Sequence, residues 1–235
     1  MHNTATVATN SRAHADRLRR FTEESIAVHE QYRSDDESLR QFRHFMNWQV
    51  AYLLPFFSEF ETRPDTAAAV KFIVSDLMGS GVSTRDTEVA RIIPIMVRLL
   101  PASALQALAS AMELNARTLE INLANCRSLS ERTDISEGIS EQDFCAAFRC
   151  TTSFDECLEL IDLTIALGHT LKRLVHSRLL GMTLRAMHRP AHTAGFGAMQ
   201  DFLEKGYATF HAIDDVDYFL GQFAERITTV FTRIC

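Results

Sequence analysis

Residues 154–178 read FDECLELIDLTIALGHTLKRLVHSR, and the spacing within this stretch decides the fold class. Leu158, Ile161 and Ile165 fall on one side of a helix with 3.6 residues per turn; Leu160, Leu163, Leu167, Leu171 and Leu174 fall on another. A helix apolar over most of its circumference belongs inside a bundle. One polar stripe is left, made of Asp155, Glu159, Asp162, Ala166, His169, Arg173 and His176, whose steps of four and three keep it on a single face. Two readings are open for it. One is a carboxylate–histidine site inside a bundle, for a metal or for acid–base work. The other is a solvated face laced with charge pairs. The chain contains no Glu-x-x-His, the unit that di-iron bundles repeat, so the solvated face is preferred and neither metal nor cofactor is predicted.

Outward from this helix the same period recurs. Residues 1–10 are polar and patternless and read as a disordered tail; residues 11–235 read as a single domain. A first helix is predicted from about Ser11 to Tyr32. A second follows a Ser34-Asp35-Asp36 cap and carries Leu39, Phe42, Phe45, Met46, Gln49, Val50, Leu53 and Phe57, with a kink at Pro55. A third starts at Pro64-Asp65 and runs to Met78, stopped by Gly79 and Gly81. A fourth is capped by Ser83 or Thr84 and broken at Pro94. Pro101 opens a helix that reaches about Cys126. A polar loop is predicted near 128–138, then a short helix after Ser140. Pro190 is expected to begin a helix, and Asp214-Asp215 to cap the last one, ending at Ile234. With only 9 Gly and 5 Pro and no alternating β-branched run, the chain reads as all-α, a bundle of eight or nine helices.

The net charge of -6 argues against nucleic acid and anionic lipid as partners. The longest apolar run, Val50 to Phe57, is far short of the ~20 residues of a membrane span. The five cysteines (Cys126, Cys145, Cys150, Cys157, Cys235) are odd in number and show no CxxC spacing. Together with a start that lacks an apolar signal segment, they point to a reducing cytoplasm.

No nucleophile elbow, P-loop or dinucleotide fingerprint is present. His188 and His192 flank Pro190, which is expected to break the helix and keep the two rings off a shared face. Gly195-Phe196-Gly197 reads as a close approach of two helices. Met199, Phe202, Leu203 and Phe210, then Phe219, Phe223, Ile227, Val230 and Phe231, form two stripes that serve a core or enclose a flat or acyl ligand.

Several segments resemble the FFLEELY-motif proteins, an uncharacterised bacterial group. They are Phe72–Met78, Trp48-Gln49, Arg85-Asp86, Arg91 with Pro94 and Met96, and Arg98-Leu99-Leu100-Pro101. Towards the end come Arg189-Pro190-Ala191, Ala194-Gly195, Gln200 to Phe210, Phe219-Leu220 and Arg226. In the name motif Ser75 and Met78 replace an expected acid and tyrosine. The resemblance implies no activity. Functionally the chain reads first as a non-catalytic interaction or regulatory module that binds another protein or itself. The alternative is a small-molecule binder or enzyme, for an apolar or haem-like ligand, using a cavity between helices. Arg85, Asp86, Arg91 and Glu204, which stand in the family-like segments near helix starts and turns, are its polar candidates.

Overall fold

A computed structural model describes residues 2–33, 35–77, 90–94, 96–97 and 100–235, with side-chain detail from Ser11 onward except at Leu179. Among the described residues there are nine α-helices of eight or more residues and no strand. They are α1 (His2–Tyr32), α2 (Asp36–Leu53), α3 (Pro64–Lys71), α4 (Ala102–Ser130), α5 (Glu141–Thr151), α6 (Phe154–Val175), α7 (Arg178–Thr193), α8 (Gly197–His211) and α9 (Val216–Ile234). A 3₁₀ segment, Leu54–Thr62, joins α2 to α3, and a π-helical turn, Phe72–Leu77, continues α3. Residues 90–94 form one further helical turn.

Side chains at the predicted places start the helices. Asp35 accepts a hydrogen bond from the Ser38 N–H at 2.7 Å, Ser140 from the Asp143 N–H at 3.1 Å, and Asp215 from the Tyr218 N–H at 3.0 Å. At α6 the cap is reciprocal, since Ser153 accepts from the Glu156 N–H while the Glu156 carboxylate accepts from the Ser153 N–H.

Boundaries differ where apolar residues or proline chemistry outweigh local signals. Helix α1 starts at His2, ahead of the predicted start at Ser11. Pro55 ends α2 and opens the 3₁₀ segment instead of kinking one long helix. The predicted loop near 128–138 is shorter, because α4 continues to Ser130 and a 3₁₀ turn occupies Ile135–Glu137. Leu129 and Ile135 are both buried and tie that connection down. The predicted start of the fourth helix at Ser83 or Thr84, and the stop at Gly79 and Gly81, lie outside the described residues.

Helix α4 is the axis. It packs against α1, α2, α5 and α6, and is buried on several sides through Ala109, Leu105, Leu114, Leu119 and Leu129. Three polar side chains on it, Asn115, Asn122 and Glu113, find partners. Asn115 donates to Ser25 Oγ at 2.9 Å, Asn122 accepts from Gln49 at 3.1 Å, and Glu113 pairs with Arg17 and Arg117. Helix α6 is central as expected, lying against α4, α7, α8 and α9. Phe219, Phe223, Ile227 and Val230 of α9 are buried in the main core, where Phe223 stacks on Phe57 with ring centroids 5.2 Å apart. Among the described residues no helix is long and apolar enough to cross a membrane.

Candidate functional site

The polar stripe of α6 faces solvent. Asp155, Glu159, Asp162, Ala166, His169, Arg173 and His176 are all exposed. Its members pair across the surface, Glu159 with Arg117 at 2.9 Å and His169 with Asp217 at 3.4 Å. Lys172 also reaches Asp217, and the ammonium holds that carboxyl below its ordinary range. The stripe is thus the solvated face.

The opposite side of α6 borders an apolar cavity. Leu167, Leu171 and Leu174, at spacings of four and three, face Ala104, Ala107 and Ala111 of α4, at spacings of three and four. Alanine methyls are too short to fill the gap between the two helices, so space of about 120 Å³ is left. Helices α7 and α8 close it with Leu180, Leu184, Phe202, Leu203, Gly206 and Tyr207. Gly206 permits this approach, since a Cβ there would lie 3.0 Å from Phe72 Cζ. A second space of about 230 Å³, lined by Ile92, Met96, Met187, Pro190, Phe196 and Met199, adjoins the first. Leu100, Leu184 and Leu203 line both. Among the described residues the lining polar groups are the Tyr207 hydroxyl in the first and Thr183 and Gln200 in the second.

The segment that carries the name motif of the resemblance contributes to this wall. Phe72, the first residue of the π-helical turn, stacks on Phe202 with centroids 5.2 Å apart. Asp76, at the other end, pairs with Lys205 of α8 at 2.6 Å. A π-helical turn shifts the faces of a helix, and here it sits where α3 passes from the main core to the cavity.

The expectation at Pro190 is corrected. Helix α7 runs through it to Thr193, so His188 and His192 do share a face, with ring centroids 4.6 Å apart. Proline removes only the hydrogen bond to the carbonyl of Ala186, and Ala186 is exposed to water. The helix then ends in a Schellman turn. Phe196 N–H donates to Ala191 O at 2.8 Å, Gly195 N–H donates to His192 O at 3.2 Å, and Gly195 takes φ +78°. The next helix starts at Gly197, not at Pro190. As expected, the Gly195–Gly197 stretch brings two helices together, α7 and α8.

Of the four polar candidates, Arg85 and Asp86 lie outside the described residues. Arg91 is exposed and covers the Phe196 ring at 5.1 Å, beside the second apolar space. Glu204 is half-buried, contacted by His188 Nδ1 at 3.0 Å and by the Gln200 amide at 2.7 Å. Each therefore attaches to the α7–α8 hairpin, through different neighbours. Sequence reasoning missed the alanine stripe of α4, whose only signal was Ala104, Ala107 and Ala111 set against a run of leucines. It also missed Asp201, which meets His192 Nε2 at 2.8 Å.

The chain belongs to an uncharacterised family, Domain of unknown function (DUF8198), whose model matches residues 28–235. That span takes in the cavity walls and the α7–α8 hairpin and leaves out most of α1. No curated protein and no solved structure matches the chain.

Proposed function

We propose that this member of an uncharacterised family binds an elongated apolar small molecule in the cavity between α4, α6, α7 and α8. The observation that carries the reading is the pair of adjoining apolar spaces of about 120 and 230 Å³ that share Leu100, Leu184 and Leu203. An apolar cavity of about 150 Å³ already holds a benzene-sized molecule, and apolar walls with a few polar groups are the usual make-up of a small-molecule site. An aliphatic chain matches walls made largely of leucine, alanine and methionine. The Tyr207 hydroxyl, Thr183 and Gln200 supply the few polar contacts. A flat haem-like ligand has less support, since the phenylalanines of α9 are spent on the main core.

The interaction reading has weaker support. Among the described residues the exposed large apolar side chains are Phe154, Leu158, Met182 and Tyr218, spread over three helices rather than gathered in one patch. The odd cysteine count and the lack of a CxxC spacing are what support a reducing cytoplasm.

The test is calorimetric titration of the purified chain with a medium-chain fatty acid, beside Ala107→Leu. Ala107 is buried on the cavity wall, so the larger side chain occupies ligand space. Saturable one-to-one binding that falls at least tenfold in the variant is expected. Absence of binding, or equal binding by a folded variant, refutes the reading.

A further inference from the structure

The hairpin of α7 and α8 gathers metal-ligating side chains on its exposed side. His188 and His192 stand one helical turn apart on α7, and Asp201 faces them from α8. Each of the three offers a ligand atom, and those atoms all lie within 4.8 Å of one another. Bonds of ~2.1 Å around a tetrahedral ion separate ligand atoms by ~3.4 Å, so a closure of ~1 Å completes the set. All three side chains are exposed, and His192 Nε2 and Asp201 Oδ1 already stand 2.8 Å apart.

Neighbouring groups hold this cluster in a way that surface ion pairs do not require. Glu204 takes His188 through Nδ1 at 3.0 Å, the arrangement in which a carboxylate orients an imidazole whose other nitrogen binds metal. Glu204 is held in turn by Gln200, which is buried and anchored to the Leu184 carbonyl at 2.8 Å. At Gly197 a Cβ would lie 2.6 Å from His192 Nδ1, so glycine is what admits that ring against the start of α8. We propose that His188, His192 and Asp201 bind a first-row divalent transition metal, with zinc the best fit, and that Glu204 is the residue positioning His188.

The donor set selects the metal. Two imidazoles and one carboxylate suit zinc and its neighbours, whereas calcium and magnesium ask for oxygen ligands. Arg185 and Arg189 share a shallow depression with His188 and Glu204, and their charges oppose a loosely held cation. Three protein ligands leave a coordination position open to water.

The experiment is calorimetric titration of the untagged, metal-free full chain with zinc chloride, followed by cobalt(II) spectroscopy. One zinc per chain is expected, with affinity lowered at least tenfold by His192→Ala and by Asp201→Asn, and unchanged by His176→Ala. Cobalt should give visible d–d bands without a thiolate charge-transfer band in the near ultraviolet. Glu204→Gln should weaken binding about 10–100-fold, as loss of an orienting carboxylate does. Lack of saturable binding, zinc retained by the His188→Ala/His192→Ala variant, or a thiolate band overturns the proposal. Should a variant melt early, the cobalt spectrum of the parent decides, because it reports the ligand type directly.

Discussion

Replacing Gly168 by alanine tests the packing on which the central position of α6 rests. Two effects of opposite sign compete. Alanine gains ~1 kcal/mol over glycine in a helix interior, because glycine loses more backbone freedom on folding. Against this, a Cβ at 168 would overlap Leu220 Cδ2 and lie 2.9 Å from Cδ1 and 3.2 Å from Cγ. Cγ is among the three atoms, so turning the Leu220 methyls about χ2 alone does not clear the new Cβ. Leu220 is only 2% exposed, so any turn it makes is within the packed interior. Adding a methylene-sized group to a packed core costs ~1–3 kcal/mol. The overlap is severe enough for the upper part of that range, and after the propensity gain a net loss of about 1–2 kcal/mol remains. For a chain of this length that is a fall in Tm of about 2–8 °C. Urea unfolding of the parent, Gly168→Ala, Leu220→Ala and the double variant measures it. The double variant should be more stable than the two single losses predict, by about 1–3 kcal/mol, since the methyl then enters the space Leu220 vacates. An unchanged or raised stability for Gly168→Ala, or strict additivity, refutes the close approach of α6 and α9.

Leu167→Ala, at a buried position on the cavity wall, should cost about 2–5 kcal/mol in the same melts, while His169→Ala on the exposed stripe should cost less than about 1 kcal/mol. Equal losses would mean that the stripe is not a solvated face. Acid should weaken the fold through Glu141 and Asp217. Arg233 and then Tyr52 hold the Glu141 carboxyl below its ordinary 4.5, and Lys172 holds Asp217 below its ordinary 3.8. A carboxyl with a lowered folded value adds stability above its ordinary pKa and loses it as pH falls through the folded one. Stability should therefore decline from about pH 4.5 downward, and less steeply in the Glu141→Gln/Asp217→Asn variant; parallel curves between pH 6 and 2 would contradict this.

Much of the fold is determined by local chemistry and was legible. Asp35, Ser140 and Asp215 cap helices at the positions their types suggested, because a cap involves only residues three apart. The leucine spacing of residues 154–178 likewise determines a helix with one polar face, since its period needs no partner to be seen. Pro190 shows the limit. Its missing N–H argues for a break, yet the cost falls on one solvent-facing carbonyl, and the Schellman turn at Gly195 ends the helix a few residues later. Only the tertiary structure could decide the rest. Ala104, Ala107 and Ala111 look like ordinary helix formers in the chain. They become a cavity wall because leucines some 60 residues away face them across a gap that methyls do not fill. His192 and Asp201 are nine residues apart with no motif spacing, and the α7–α8 hairpin makes them neighbours. Sequence periodicity specifies which face of a helix is apolar; which faces meet, and how much space stays between them, depends on residues far apart in the chain.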